Sequence, residues 1–155
     1  MKAKILPWLF STIFFPNLSQ AQSISKVYVF SEKDNKANVS CGASNDSSVA
    51  AIKAALRYNR ISLADSENSD FSIYLNINNF VVNSNECAIT INMQVYFYDF
   101  AVMPKTKKSV FLKTMLCEKG ATGYLDKLTM QSNINTTLKS NVDECVAEIE
   151  DKLKK

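Results

Sequence analysis

Two stretches of the chain alternate apolar and polar residues with the period of a strand that buries one face. In the first, residues 71–82, Phe71, Ile73, Leu75 and Ile77 interleave with Ser72, Tyr74, Asn76 and Asn78. In the second, residues 87–98, Cys87, Ile89, Ile91, Met93, Val95 and Phe97 interleave with Ala88, Thr90, Asn92, Gln94, Tyr96 and Tyr98. Residues 83–86 form the turn between them. The run SKVYVF at residues 25–30 is rich in β-branched and aromatic residues and reads as an earlier strand. After Pro104 and the basic tetrad Lys105-Thr106-Lys107-Lys108, residues 109–117 read as a returning strand of less clear face.

Helical spacing occupies two other places. Val49, Ile52, Ala55 and Leu56 share one helical face, with Ser47 or Ser48 as the N-cap and an end near Tyr58-Asn59. Between the first strand and this helix, residues 31–48 are polar and read as a long loop pinned at Cys41. Gly120 and Gly123 interrupt the chain after the fourth strand. Helical character resumes near Tyr124, and the Asn and Thr of residues 133–137 predict a break or a second start. Leu138, Val142, Cys145, Val146, Ile149 and Leu153 then line one face, with Lys152, Lys154 and Lys155 at the end where cations complement the helix dipole.

The order β-α-β-β-β-α predicts an α+β fold of two layers, a mainly antiparallel four-stranded sheet with helices on one face. The first strand and the residue 71–82 strand should run parallel, joined by a right-handed crossover.

The first residues change how the composition reads. Lys2 and Lys4 precede the apolar run ILPWLFSTIFF, and Ser19-Gln20-Ala21 supplies small residues at the positions a signal peptidase reads. The apolar run falls short of the roughly twenty residues that span a bilayer. Residues 1–21 are therefore read as a signal peptide, and residues 22–155 as a single α+β domain that is periplasmic or secreted and has no transmembrane segment. The formal net charge of +3 loses Lys2 and Lys4 on cleavage. What is left is close to neutral and makes no general electrostatic case for nucleic acid or an anionic membrane.

Four cysteines, Cys41, Cys87, Cys117 and Cys145, remain in the exported part. An even number in an exported chain reads as two disulfides. If the hairpin turn centres near Val102, Cys87 and Cys117 fall opposite each other. That favours Cys87–Cys117 with Cys41–Cys145, and the rival is Cys41–Cys87 with Cys117–Cys145.

Histidine is absent from the whole sequence. That excludes Ser–His and Cys–His nucleophile systems and histidine metal sites within the chain. The cysteines lie too far apart for a zinc site, and Asp34 with Asp46 lacks the ligand spacing of a calcium loop. The three glycines form no phosphate loop. No cofactor or metal is called for. The carboxylates Asp65, Glu67 and Asp70, with Asp99, leave a carboxylate-dependent hydrolase as one reading, although DSENSD also has the composition of a solvated turn.

The stronger candidate is the outer sheet face, where Tyr74, Asn76, Asn78, Asn92, Gln94, Tyr96 and Tyr98 present amides and flat amphipathic rings with no charge in those stretches. Exposed strands usually carry more charge to deter association. The face suits an envelope protein, a glycan or a second copy of the chain. The sequence thus predicts a non-catalytic exported binding or assembly module. The alternatives are a secreted inhibitor or effector acting through the loop around Cys41 and Asn45, and the hydrolase.

Overall fold

The computed structural model describes residues 24–154; the expected signal peptide and its cleavage site lie outside them. The elements in chain order are β1 (Val27–Ser31), α1 (Lys36–Ser40), α2 (Asn45–Tyr58), β2 (Phe71–Val81), β3 (Glu86–Val102), β4 (Ser109–Asp126) and α3 (Met130–Leu153). The four strands form one sheet in the order β1-β2-β3-β4. β1 and β2 are parallel, while β2–β3 and β3–β4 are antiparallel. The fold is therefore α+β with a mixed sheet, the parallel pair being the one spanned by the helical crossover.

Pleat alternation explains the layering. Val27, Val29, Phe71, Ile73, Leu75, Ile77, Ile89, Ile91, Met93 and Val95 all point to one face and are buried. Ile52, Ala55 and Leu56 of α2 and Met130, Ile134, Leu138, Val142 and Ile149 of α3 join them in one core cluster. After α2 the chain pairs with β1 through a single parallel bridge between Val27 and Leu63.

Several boundaries differ from the sequence reading, each for a physical reason. β3 does not end at Tyr98 but runs to Val102, because its pairing with β4 continues as far as Ser109. The residue 31–48 loop contains a five-residue helix, α1. Asn35 caps it by accepting from the Asn38 backbone N–H at 2.8 Å, and Asn38 itself is buried. α2 begins earlier than Ser47 or Ser48, because Ser44 is the N-cap that accepts from the Ser47 N–H and Ser48 Oγ donates back to the Ser44 carbonyl. β4 does not stop at Cys117 but runs through both glycines to Asp126. A Cβ at Gly120 would lie 3.3 Å from the Ile91 carbonyl oxygen, so the glycine permits close strand approach rather than breaking the strand. α3 is one uninterrupted helix. Met130, Ile134 and Leu138 on its inner face are fully buried, and that packing outweighs the weak helix propensity of residues 133–137.

The position of the turn overturns the favoured cysteine pairing, because β3 runs on past Tyr98 to Val102 itself. The hairpin turn lies between Val102 and Ser109, so Cys87 faces Leu125 and Cys117 faces Val95. Cys87 and Cys117 are far apart along the ladder. The disulfides are Cys41–Cys87, with Cα atoms 5.9 Å apart, and Cys117–Cys145, at 5.7 Å. The first ties the end of α1 to the start of β3, and the second ties β4 to α3.

A buried polar pair supports α1. Asn79 Nδ2 donates to Asn38 Oδ1 at 3.0 Å, and Asn38 Nδ2 donates to the Ile77 carbonyl at 3.4 Å. Asn79 Oδ1 is buried with no donor.

Mapping of unreduced peptides is expected to recover Cys41 joined to Cys87 and Cys117 joined to Cys145; recovery of Cys87 with Cys117 contradicts the register. Cys117→Ala with Cys145→Ala is expected to cost about 3 kcal/mol in urea unfolding. Asn38→Ala strands the Asn79 amide and is expected to cost about 1–3 kcal/mol. Adding Asn79→Val to that change is expected to recover part of the loss, because the unpaired amide goes with it.

Candidate functional site

The sheet face turned away from the helices carries the residues singled out above. The β2–β3 register sets Ser72 against Tyr96, Tyr74 against Gln94, Asn76 against Asn92 and Asn78 against Thr90. Tyr74, Asn76, Asn78, Asn92, Gln94 and Tyr96 therefore form one continuous surface. Tyr98 lies one step past the last β2–β3 pair, Phe71 with Phe97, and faces Lys113 on β4.

Neighbouring elements bring charges to this face that the two stretches lack. Glu118 of β4 sits opposite Gln94. Gln94 Nε2 donates to Glu118 Oε1 at 2.7 Å, and Asn92 Nδ2 donates to the same oxygen at 2.9 Å. These two donors hold the Glu118 carboxyl below the usual glutamate range, the Gln94 bond contributing most. The Tyr74 hydroxyl donates to Glu32 Oε1 at 2.7 Å. That bond, followed by burial, raises the Tyr74 pKa above the usual tyrosine value. The Tyr96 hydroxyl donates to Gln94 Oε1, and the Lys113 ammonium lies 3.7 Å from the Tyr96 ring centroid. Asn78 Nδ2 donates to Asn76 Oδ1 at 2.9 Å. The middle of the face is thus largely hydrogen-bonded to itself.

Its aromatic end is different. Tyr28 and Phe30 on β1 stack with ring centroids 5.5 Å apart, and Phe30 lies 5.3 Å from Tyr74. Across the face, Tyr98 stacks on Phe111 at 5.5 Å, and Phe111 meets Phe100 at 5.3 Å. Between these two aromatic walls lies an open groove of about 510 Å³, with Ser66, Glu67, Ser69 and Ser72 completing its lining. It combines apolar walls with a few polar groups, the usual make-up of a recognition cleft. Sequence reasoning found Tyr98 but not Tyr28, Phe30, Phe100 or Phe111. The alternation of Val27, Tyr28, Val29 and Phe30 carried the signal for the first wall. The placement of Phe100 and Phe111 on either side of the Lys-rich turn carried it for the second.

The other two candidate sites are occupied by structural bonds. Asn45 is buried, its amide donating to the Glu32 carbonyl at 2.9 Å and its backbone N–H to Asp34 Oδ1 at 2.8 Å. Asp46 lies in the first turn of α2, where a carboxylate complements the helix dipole. Asp65 Oδ1 accepts from the backbone and the side chain of Asn68, at 3.0 and 2.7 Å, and Asp70 Oδ2 accepts from Ser25 Oγ at 3.2 Å. Asp99 Oδ1 accepts from the next backbone N–H, that of Phe100. Among the described residues, no three Asp, Glu, Cys or His side chains gather as a metal-binding group.

No protein-family model matches the chain, and no curated protein matches it. Solved structures do resemble it. A hypothetical protein from Chlamydia trachomatis is 11% identical, with a TM-score of 0.45 over 85% of this chain and 98% of that one. The minor lipoprotein from Acinetobacter baumannii is 10% identical, with a TM-score of 0.42 over 82% of this chain and 93% of that one. A protein from Caulobacter crescentus is 11% identical, with a TM-score of 0.39 over 83% and 90%. No residue role passes from them to this chain.

A carboxyl whose folded pKa is lowered adds stability above its unfolded pKa, and that stability is lost as pH falls through the folded value. NMR titration is expected to show Glu118 ionising below the ordinary glutamate range. Gln94→Leu is expected to move it back up; an unchanged value in that variant refutes the hydrogen-bond assignment.

Proposed function

We propose that the chain is a non-catalytic, exported binding module of a cell envelope that captures a segment of a partner protein on the outer face of its sheet. The groove between Tyr28–Phe30 and Tyr98–Phe100–Phe111 carries this reading. Aromatic walls offer large rigid contact area at little entropic cost, and buried aromatic anchors dominate recognition energy. Phe100 and Phe111 remain 68% and 59% exposed, although they belong to a stacked cluster. Apolar rings left in water beside a groove mark an interaction surface.

Export is supported by the leader pattern of residues 1–21 and by the cysteine chemistry. All four cysteines are in disulfides, which persist in oxidising compartments outside the cytoplasm. No helix among the described residues is long and apolar enough to cross a membrane. A binding role without turnover fits carboxylates that serve turns and helix starts, as Asp65 and Asp34 do.

The test is photocrosslinking in the producing cell, with a photoreactive residue at Phe30 or Phe111 and a control at Tyr58, which is exposed on the helical layer. One discrete protein adduct is expected from the groove positions, lost on Tyr98→Ala and absent from the control. Equal adducts from all three positions, or none from the groove, overturn the assignment.

A further inference from the structure

The β3–β4 ribbon continues past the rest of the sheet. The last β2–β3 pair is Phe71 with Phe97, while the β3–β4 ladder runs on to Val102 with Ser109. At about 3.3 Å per residue, the five residues after Phe97 carry Val102 about 17 Å beyond the last β2 rung. A two-stranded ribbon is marginal in water without a third strand or a covering layer. This one leaves several large apolar side chains in water. Phe100, Val102 and Phe111 on one face are 68%, 62% and 59% exposed. Leu112, on the other face opposite Asp99, is 45% exposed, and Met103 at the turn is 47% exposed.

Charge singles out the same ribbon. Residues 98–113 hold Lys105, Lys107, Lys108 and Lys113 against one acid, Asp99. The chain from residue 22 onward is close to neutral, because Lys2 and Lys4 supply two of the full sequence's three net positive charges. The ribbon therefore carries a net positive excess that the rest of the chain lacks. Lys105, Lys107 and Lys108 are all exposed. The side-chain salt bridges among the described residues join Lys119 to Glu144, at 3.1 Å, and to Glu148. Lys107 adopts a left-handed φ of 57° in the turn, closed by its N–H donating to the Met103 carbonyl at 2.9 Å.

We propose that this overhanging ribbon docks on the surface of an anionic phospholipid bilayer. Val102, Met103 and Leu112 enter the boundary between headgroups and acyl chains, and the lysines meet the phosphates with their stems lying along the apolar surface. Apolar residues on both faces and at the tip favour this occupant. A flat protein surface covers one face of a ribbon, whereas the lipid boundary surrounds the whole tip. Each lysine near an anionic surface contributes about a fivefold gain in partitioning, so three at the tip contribute roughly a hundredfold.

The inference does not depend on the partner proposed for the groove, and its test uses tip residues outside the groove lining. The chain, as processed by the cell that makes it, is sedimented with vesicles of phosphatidylcholine alone or with one-third phosphatidylglycerol. Binding is expected only to the anionic vesicles and should weaken steeply with added salt. Lys105→Glu with Lys107→Glu and Lys108→Glu is expected to lower partitioning at least about a hundredfold at unchanged circular dichroism. Val102→Asp with Met103→Asp is expected to abolish insertion while leaving groove crosslinking intact. No binding by the folded wild-type protein, or binding that survives the triple charge reversal, overturns the proposal. Self-association in sedimentation velocity that is lost in the Val102→Asp and Met103→Asp variant, without vesicle binding, assigns the ribbon to a second copy of the chain instead.

Discussion

The pleat of β2 and β3 is the constraint from which the rest of the molecule follows. Eight inward side chains, Phe71, Ile73, Leu75 and Ile77 with Ile89, Ile91, Met93 and Val95, are buried beneath the helices. Burying each contributes roughly 1.5–3 kcal/mol. A slip of one residue would turn the whole set outward and bring Tyr74, Asn76, Asn92 and Gln94 into the core, where their polar groups would lack partners. The same alternation therefore sets the register of the sheet and commits its outer face. Whatever that face does, its residues are held in place by the core behind them.

The outer face divides into two parts of different character. Around Glu118 the amides of Asn92 and Gln94 converge on one carboxylate, and Tyr96 is engaged by Gln94 and Lys113. Such a network orders the surface but leaves few groups free for an incoming ligand. Toward the ribbon, rings from β1, β3 and β4 stack in pairs and leave a groove between them. A ligand entering there displaces water from apolar walls rather than competing with hydrogen bonds already made. Physical economy thus favours the aromatic end over the polar middle, where the sequence draws attention, for the recognition proposed above.

The strands with clean alternation, β2 and the core-facing part of β3, were legible because one buried face imposes its period on the residues. Long-range placement was less so. Gly120 and Gly123 read as breaks, yet Gly120 lies close to the Ile91 carbonyl inside a paired strand. A turn centred near Val102 sets Cys117 opposite Cys87, but β3 itself reaches Val102, so the turn lies further along and Cys117 meets Val95. The cap at Ser44 and the short helix capped by Asn35 depend on side-chain bonds that composition alone leaves open. Residues 133–137 have weak helical preference and are held by Met130, Ile134 and Leu138 beneath them. At the site, Tyr98 was visible from its own strand. Its partners across the groove required the strand order, which no local pattern carries.

The second disulfide acquires a role from where β4 leaves the supported sheet. Cys117 pairs with Val95, beside the irregularity at which Tyr96 takes Met115 as partner and Leu116 is passed over. The overhang begins two rungs further on. At this root, Cys117 is bonded to Cys145 of α3, and the Lys152 ammonium donates to the Leu116 carbonyl at 2.9 Å. The adjoining Lys119 is paired with Glu144 and Glu148 of the same helix. α3 therefore clamps β4 from three positions just before the strand projects away from the core. Segments that open most readily have few buried apolar contacts, and the ribbon beyond Phe97 is such a segment. A covalent and ionic clamp at its base confines that opening to the ribbon and keeps it from spreading into β3 and the core. The exposed apolar end is thus free to meet a surface without loosening the sheet behind it.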